Sequence, residues 1–493
     1  MTIQQIIVLA AILLPAALYL GLAVRENKRG LKISTFYPLS RFLPGGEFGR
    51  STAAAGVSLA TVVLALINLA PTMGLGLLVT IASYSASFVI LYFAAPAILR
   101  ANKDNATLQS FLGTAYGSAA VRYTALVFCL VGYGSIFSME LIVGVSVLEP
   151  IYPDSVLLTA TLFLLFIITY SAVGGFRAIV ATEQWQIRAV LVAVISLALF
   201  AFMLWTESRP DVATRVASDV FSSWNVGWAF CLGIIVMNLP APISDAATWQ
   251  RLCATRSEAD AQKGLKHAIL LFTFIWGTLI VAGTFIATFA QQAGTFDPAS
   301  QTLMSFIIAT LASGDAFALA LLFAFTLGLF AALITTADSL LLICAQLISL
   351  DMLKLRESGT SRQPMLRARL VLVLIGLASF ALFVLFRWLE LDVVSLVFAI
   401  YGAQLALFPA AAAALLGSKL GRWRPGGTGA ILSIAGGFAA AWASALFGRF
   451  GTDPNWLYNA PAVGLATSLL LLIVSLPFRR STPLRRSSEE HRT

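Results

Sequence analysis

Apolar stretches of about twenty residues recur along the whole chain, and that recurrence leaves few folds open. They fall at 3–23, 50–71, 74–99, 120–149, 155–174, 178–205, 224–242, 265–291, 315–349, 366–388, 393–417, 427–448 and 461–478. A helix rises 1.5 Å per residue, so about 20 residues cross roughly 30 Å of hydrocarbon. The segments at 224–242 and 461–478 just suffice, and the others reach comfortably. Composition agrees: 59% of residues are hydrophobic and 11% charged, against about 45–50% and 25% in soluble domains. A water-soluble enzyme, a disordered chain and a collagen-like fibre are excluded. An outer-membrane barrel would show short alternating segments instead. The expectation is an all-α membrane protein with about 13 transmembrane helices.

Charge gives the orientation. With the N-terminus outside, four basic residues fall in outer loops or beside them: Arg209, Arg215, Arg387 and Arg449. The other 28 of the 32 Lys and Arg lie in inner loops or at their helix ends. Lys and Arg collect on the cytoplasmic side, so the reading is N-terminus outside, C-terminus cytoplasmic, in a plasma (bacterial inner) membrane. The first segment lacks a basic residue before its apolar core, and Arg25, Lys28 and Arg29 follow it. That order is not a cleavable signal. The net charge of +9 then reflects inner loops and anionic lipid, not nucleic acid. Residues 479–493 read as a basic cytoplasmic tail near lipid headgroups. Trp224, Trp228, Trp388 and Trp423 stand near span ends, as interface anchors do. Cys129, Cys231, Cys253 and Cys344 form no CxxC pair, and two histidines give zinc few ligands.

The informative places break the apolar pattern. Asn68-Leu69-Ala70-Pro71 and Asn238-Leu239-Pro240-Ala241-Pro242 each put an Asn and then Pro at the later end of a span. By the charge topology these two spans run in opposite directions. An inverted repeat of five plus five helices would do this, and so would chance. Three ionisable residues lie within spans: Glu140, Glu183 and Asp338. A charge there costs a few kcal/mol on insertion scales. Glu140 suits a transport pathway or a structural hydrogen bond. Glu183 has Arg188 within local reach. Asp338 suits helix backbone or nearby water. Thr335-Thr336-Ala337-Asp338-Ser339 offers hydroxyl oxygens suited to dehydrated Na⁺, or simple back-bonding to the preceding turn.

Four motifs, in order and at matching spans, resemble the sodium:solute symporter family, which includes proline, sugar, sialic acid and urea symporters. Tyr170-Ser171-Ala172-Val173-Gly174-Gly175-Phe176-Arg177-Ala178 with Thr182-Glu183-Gln184-Trp185-Gln186 is similar to its signature. Thr335-Thr336-Ala337-Asp338-Ser339, followed by Leu341-Leu342 and Asp351, resembles its Ser-Thr-Ala-Asp-Ser segment. Gln109-Ser110-Phe111-Leu112 and Trp249-Gln250-Arg251 resemble two further loop motifs. The likeness covers about residues 30–420.

The resemblance implies a leucine-transporter-like fold. Residues 1–49 would hold an extra helix and a loop, 50–205 the first five-helix repeat, 224–417 the second, and 418–478 two more helices. It implies Na⁺ as coupling ion and no organic cofactor. The ion would meet the carbonyls of Thr61 and Leu64, the carbonyl of Ala332, and the hydroxyls of Thr335 and Thr336. A one-residue slip within 58–66 stays open. Glu183 matches the family's Asp on the sodium exit path, with Asp338 beside it in the coupling region. Departures are informative. Ala241-Pro242 stands where sugar members carry a Tyr-Trp gate. Only Asn68, Asn238, Gln404 and Glu140 are left to contact substrate. A small polar solute (a carboxylate, an amino acid or a urea-like molecule) therefore suits the chain better than a sugar. Proton-coupled symport and a transporter-like sensor module are the alternatives. No nucleophile–base pair, phosphate loop or metal cluster points to an enzyme.

Overall fold

The computed structural model describes residues 1–102, 107–207, 210–355, 363–391 and 393–476. The expected tail at 479–493 and Arg209 lie outside the described residues. Among the described residues every named element is helical. In chain order the principal ones are α1 Ile3–Lys28, α2 Gly45–Ala55, α3 Ala65–Met73, α4 Leu78–Ala101, α5 Ala119–Leu148, α6 Val156–Glu207, α7 Trp228–Asn238, α8 Ala246–Cys253, α9 Glu258–Gln292, α10 Leu303–Ser313, α11 Ala316–Gln346, α12 Gln363–Trp388, α13 Val393–Gln404, α14 Leu407–Leu416, α15 Gly427–Phe450 and α16 Ala460–Val474.

Each expected apolar segment falls on one or more of these helices. Nine described stretches are long and apolar enough to cross a membrane, and a tenth is a bent pair, α2 with the helix 59–73. The helices Trp228–Asn238, Leu303–Ser313 and Ala460–Val474 are apolar but shorter. The second of these was not anticipated; it sits in what reads as a loop. Helix ends are conventional where water can reach them. Thr2 and Gln5 form a capping box at the start of α1, and Arg25 and Lys28 occupy its last turn, where positive charge complements the helix dipole.

Three breaks shape the molecule. At the first, α2 ends at Gly56, and a π-helical turn, Leu59–Leu64, leads into α3. The two parts are bent by 59°. A Cβ on Gly56 would stand 2.3 Å from Phe272 and 3.0 Å from the Tyr84 hydroxyl, so only glycine lets those rings close on the break. Pro71 is not the cause, since it lies inside α3. At the second break, α7 stops before Pro240, a short turn Ala241–Ser244 follows, and α8 starts after Asp245. The third divides α6 at Gly175, whose φ is +59°. A side chain there would be strained, and its Cβ would lie 2.6 Å from the Phe36 ring.

Burial sorts the helices into a centre and a rim. In the most apolar window, 72% of Ala119–Leu148 and 67% of Ala316–Met352 are buried, against 28% of Ile3–Lys28. α5 and α11 are therefore interior, and α11 packs along α6, with α1 against both. On the outside, Leu14, Phe93, Leu158 and Leu270 are exposed. Such an apolar exterior suits hydrocarbon and would be a liability in water.

Candidate ion and solute site

The two broken helices meet at one cavity of about 160 Å³. Its wall takes residues from both breaks, among them Gly56, Ser58, Thr61, Asn238, Pro242 and Asp245, and from α4, α5, α9, α11 and α13. Breaking a helix frees backbone groups, which must find partners away from water. α5 supplies those partners for both breaks from a single face. Glu140 accepts a hydrogen bond from the Ser58 hydroxyl and another from the Ala60 N–H at 3.3 Å. Seven residues earlier, the Tyr133 hydroxyl accepts from the Ala246 N–H at 2.7 Å and donates to Asp245. A spacing of seven puts both side chains on one side of the helix, two turns apart. Ser58 and Asp245 each cap the restarted helix, accepting from Thr61 N–H at 2.8 Å and Thr248 N–H at 2.7 Å.

Next to the first break, α11 packs against the π-helical turn. The hydroxyls of Thr335 and Thr336 and the Oδ2 of Asp338 are buried and have no hydrogen-bond partner. Three unpartnered oxygens within about one helical turn are unusual, because buried polar groups nearly always find partners. Thr336 and Thr61 also line the cavity; Leu64, Thr335 and Ala332 do not. A π-helical turn shifts the hydrogen-bond register, as in the Val63 N–H to Ser58 carbonyl bond of 3.0 Å. Such turns recur at functional sites. By their chemistry, threonine hydroxyls and the carbonyls of a displaced turn suit a hard alkali cation.

The remaining expected residues separate into two groups. Asn238 lines the cavity and donates to the Ser83 hydroxyl at 2.9 Å and the Thr80 carbonyl at 3.3 Å. Gln404 lines it too, and its amide nitrogen has no partner. Asn68 and Glu140 do not line it. Asn68 instead accepts from the Met304 N–H at 3.1 Å, fixing the start of α10. Glu140 is taken up by the capping just described, which replaces the expected substrate contact for that residue.

Glu183 pairs with Arg251, not with Arg188, whose guanidinium lies 4.8 Å from the Trp185 ring centre. Arg251 and Glu183 are 2% and 0% exposed. Arg251 also donates to the Ser51 hydroxyl at 3.1 Å and to the Ser339 hydroxyl, while Ser51 donates to Glu183. One guanidinium thus joins α2, α6, α8 and α11. Motif reading marked Arg251 without a role, because its partner lies 68 positions away in sequence. Asp245, Tyr84, Tyr133, Trp276 and Tyr401 also line the cavity and were not anticipated. For the four aromatic residues the signal, a ring within a span, is indistinguishable from ordinary core in one sequence.

No protein-family model matches this sequence, and no curated protein matches it significantly. Solved structures do match. A Na⁺-coupled sialic acid symporter, seen substrate-bound and outward-open, aligns over 96% of this chain and 98% of its own, with TM-score 0.78 and 19% identity. Mhp1, a nucleobase-cation-symport-1 family transporter in a closed conformation, aligns over 91% and 95%, with TM-score 0.56 and 14% identity. MhsT, in complex with L-phenylalanine, aligns over 87% and 98%, with TM-score 0.55 and 14% identity. The chain therefore has the leucine-transporter-like fold, an all-helical membrane architecture built on paired broken helices.

Proposed function

We propose that this protein is a secondary transporter of the sodium:solute symporter kind, moving a small polar organic solute with Na⁺ by alternating access. The observation that carries the reading is the pair of buried, unpartnered hydroxyls on Thr335 and Thr336, on a helix that packs against the displaced turn, with Thr336 also lining the cavity. Na⁺ would be held by Thr335, Thr336 and the carbonyls of Ala332, Thr61 and Leu64. Because Thr336 and Thr61 also line the cavity, ion and solute would share a wall. Each would then raise the other's affinity, and that coupling is reciprocal. A Na⁺ ion crossing 100 mV contributes about 2.3 kcal/mol. Binding and movement, not bond chemistry, would be the protein's work.

In this reading the chain crosses a plasma (bacterial inner) membrane about thirteen times, with the N-terminus outside. Residues 50–205 and 224–417 are the inverted repeats, and the Glu183–Arg251 pair closes the cytoplasmic side. Release of Na⁺ past Glu183 and Asp338 then requires Arg251 to move.

The test is thermal unfolding of purified protein in NaCl and in KCl at equal ionic strength. A ligand at 100 times its Kd adds about 2.7 kcal/mol of stability. Sodium should stabilise the wild type and lose that effect in Thr335→Ala/Thr336→Ala. Equal melting of the wild type in both salts would refute the sodium site.

A further inference from the structure

The cavity has an unbalanced charge. Two charged side chains line it, Asp245 and Arg251. The Arg251 charge is matched by Glu183. Asp245 makes no ion pair with another described residue; its recorded donors are the neutral Tyr133 hydroxyl and the Thr248 N–H and hydroxyl. These bonds position the carboxylate and leave its negative charge on the wall of a cavity within an apolar body. Such a charge calls for a cationic partner.

The rest of the lining says which kind. Tyr84 and Trp276 stack with ring centres 4.4 Å apart and planes 15° apart, and Phe88, Tyr133 and Tyr401 complete an aromatic lining. A bare alkali ion needs a shell of oxygens, which carbon faces do not supply. Ring faces do attract organic ammonium groups. Two donors on the same lining have no acceptor: Trp276 Nε1 and the Gln404 amide nitrogen. Buried donors nearly always find an acceptor, and an oxygen of a ligand seated in the cavity would supply one.

We infer that the solute is a small zwitterion, with a positively charged nitrogen between Asp245 and the aromatic wall and an oxygen on Trp276 and Gln404. This deepens the transport reading above and rests on it. A cavity of about 160 Å³ is below the roughly 300–1,000 Å³ of drug-sized sites, in keeping with a compact molecule.

The experiment is thermal unfolding and calorimetric titration of the purified protein in NaCl. The probes are glycine betaine, L-proline, choline, 3,3-dimethylbutanoate (the shape of betaine with an uncharged quaternary carbon) and urea. Betaine or proline should bind saturably, and dimethylbutanoate and urea should not. Choline, lacking the carboxylate, should bind more weakly than betaine. Asp245→Asn keeps a residue suited to the helix cap and should weaken the zwitterion at least tenfold while retaining the sodium-induced shift in melting. Trp276→Phe should narrow the difference between betaine and choline. Binding of the uncharged isostere or urea as tightly as betaine, no binding by any charged-nitrogen probe, or unchanged affinity in Asp245→Asn would each overturn the inference. The NaCl–KCl comparison without solute reads the transport proposal separately. A sodium shift with no zwitterion binding sinks only the solute class, and zwitterion binding with no sodium shift sinks only the coupling ion.

Discussion

At the scale of single residues, Glu183 and Arg251 form a fully buried ion pair. Desolvating two ions is costly, so the pair stabilises little relative to apolar residues, but removing one partner strands the other. Arg251→Met should therefore destabilise the protein by about 3–5 kcal/mol, as measured by thermal unfolding. Arg251→Met/Glu183→Gln should recover most of that loss. If the double variant is as unstable as the single one, packing around Arg251, not charge, is what matters. The position of the pair argues for a second purpose. Its four hydrogen-bonded elements include α2 and α8, which in the proposed topology are the cytoplasmic halves of the two broken helices.

At the scale of elements, α5 determines whether the two breaks hold. Tyr133→Phe removes the acceptor of the Ala246 N–H and one donor to Asp245. A buried unsatisfied group costs about 1–3 kcal/mol, and α8 is short enough for that loss to stay local. Hydrogen exchange at Ala246 and Ala247 should accelerate by about tenfold for each 1.4 kcal/mol lost, while amides in α11 keep their rates. Equal acceleration in both would show that the hydroxyl supports the whole fold instead. The same region shows what a sequence can reveal. Span length and apolarity are local properties, so the helices were legible, as was the second break, where Pro240 supplies no N–H. The first break was not legible in the residues themselves; only the resemblance, with its ion-binding carbonyls at Thr61 and Leu64, pointed to it. It depends on Phe272 and Tyr84 closing on Gly56, and nothing in the local sequence distinguishes that glycine from many others in apolar runs. The Asn-Pro run at 68–71 drew attention to the wrong end of the span. The oxygens of the Thr335–Ser339 segment stand out in the sequence, where they suit an ion or simple back-bonding alike. The roles of Glu140 and Asp245 were not legible, since each depends on a partner more than 80 positions away.

At the scale of the whole molecule, the proposal requires two states related by parting of the broken halves. Thr52 is a useful reporter. It is 5% exposed, lines the cavity and stands next to Ser51 of the Arg251 network. A single cysteine at Thr52, in a background with the four native cysteines replaced, should react slowly with a membrane-impermeant thiol reagent applied from the cytoplasmic face. Arg251→Met should speed that reaction at least tenfold, a population shift of about 1.4 kcal/mol. Na⁺ should slow it relative to K⁺ in the Arg251-intact protein, because an ion joining α11 to the π-helical turn favours the state in which that side is closed. A ligand shifts such an equilibrium only by its differential affinity for the two states. A labelling rate unaffected by Na⁺, in a protein whose melting temperature rises with Na⁺, would therefore mean that the ion binds both states equally. The ion would then be a structural resident, and the solute would have to be driven by something else.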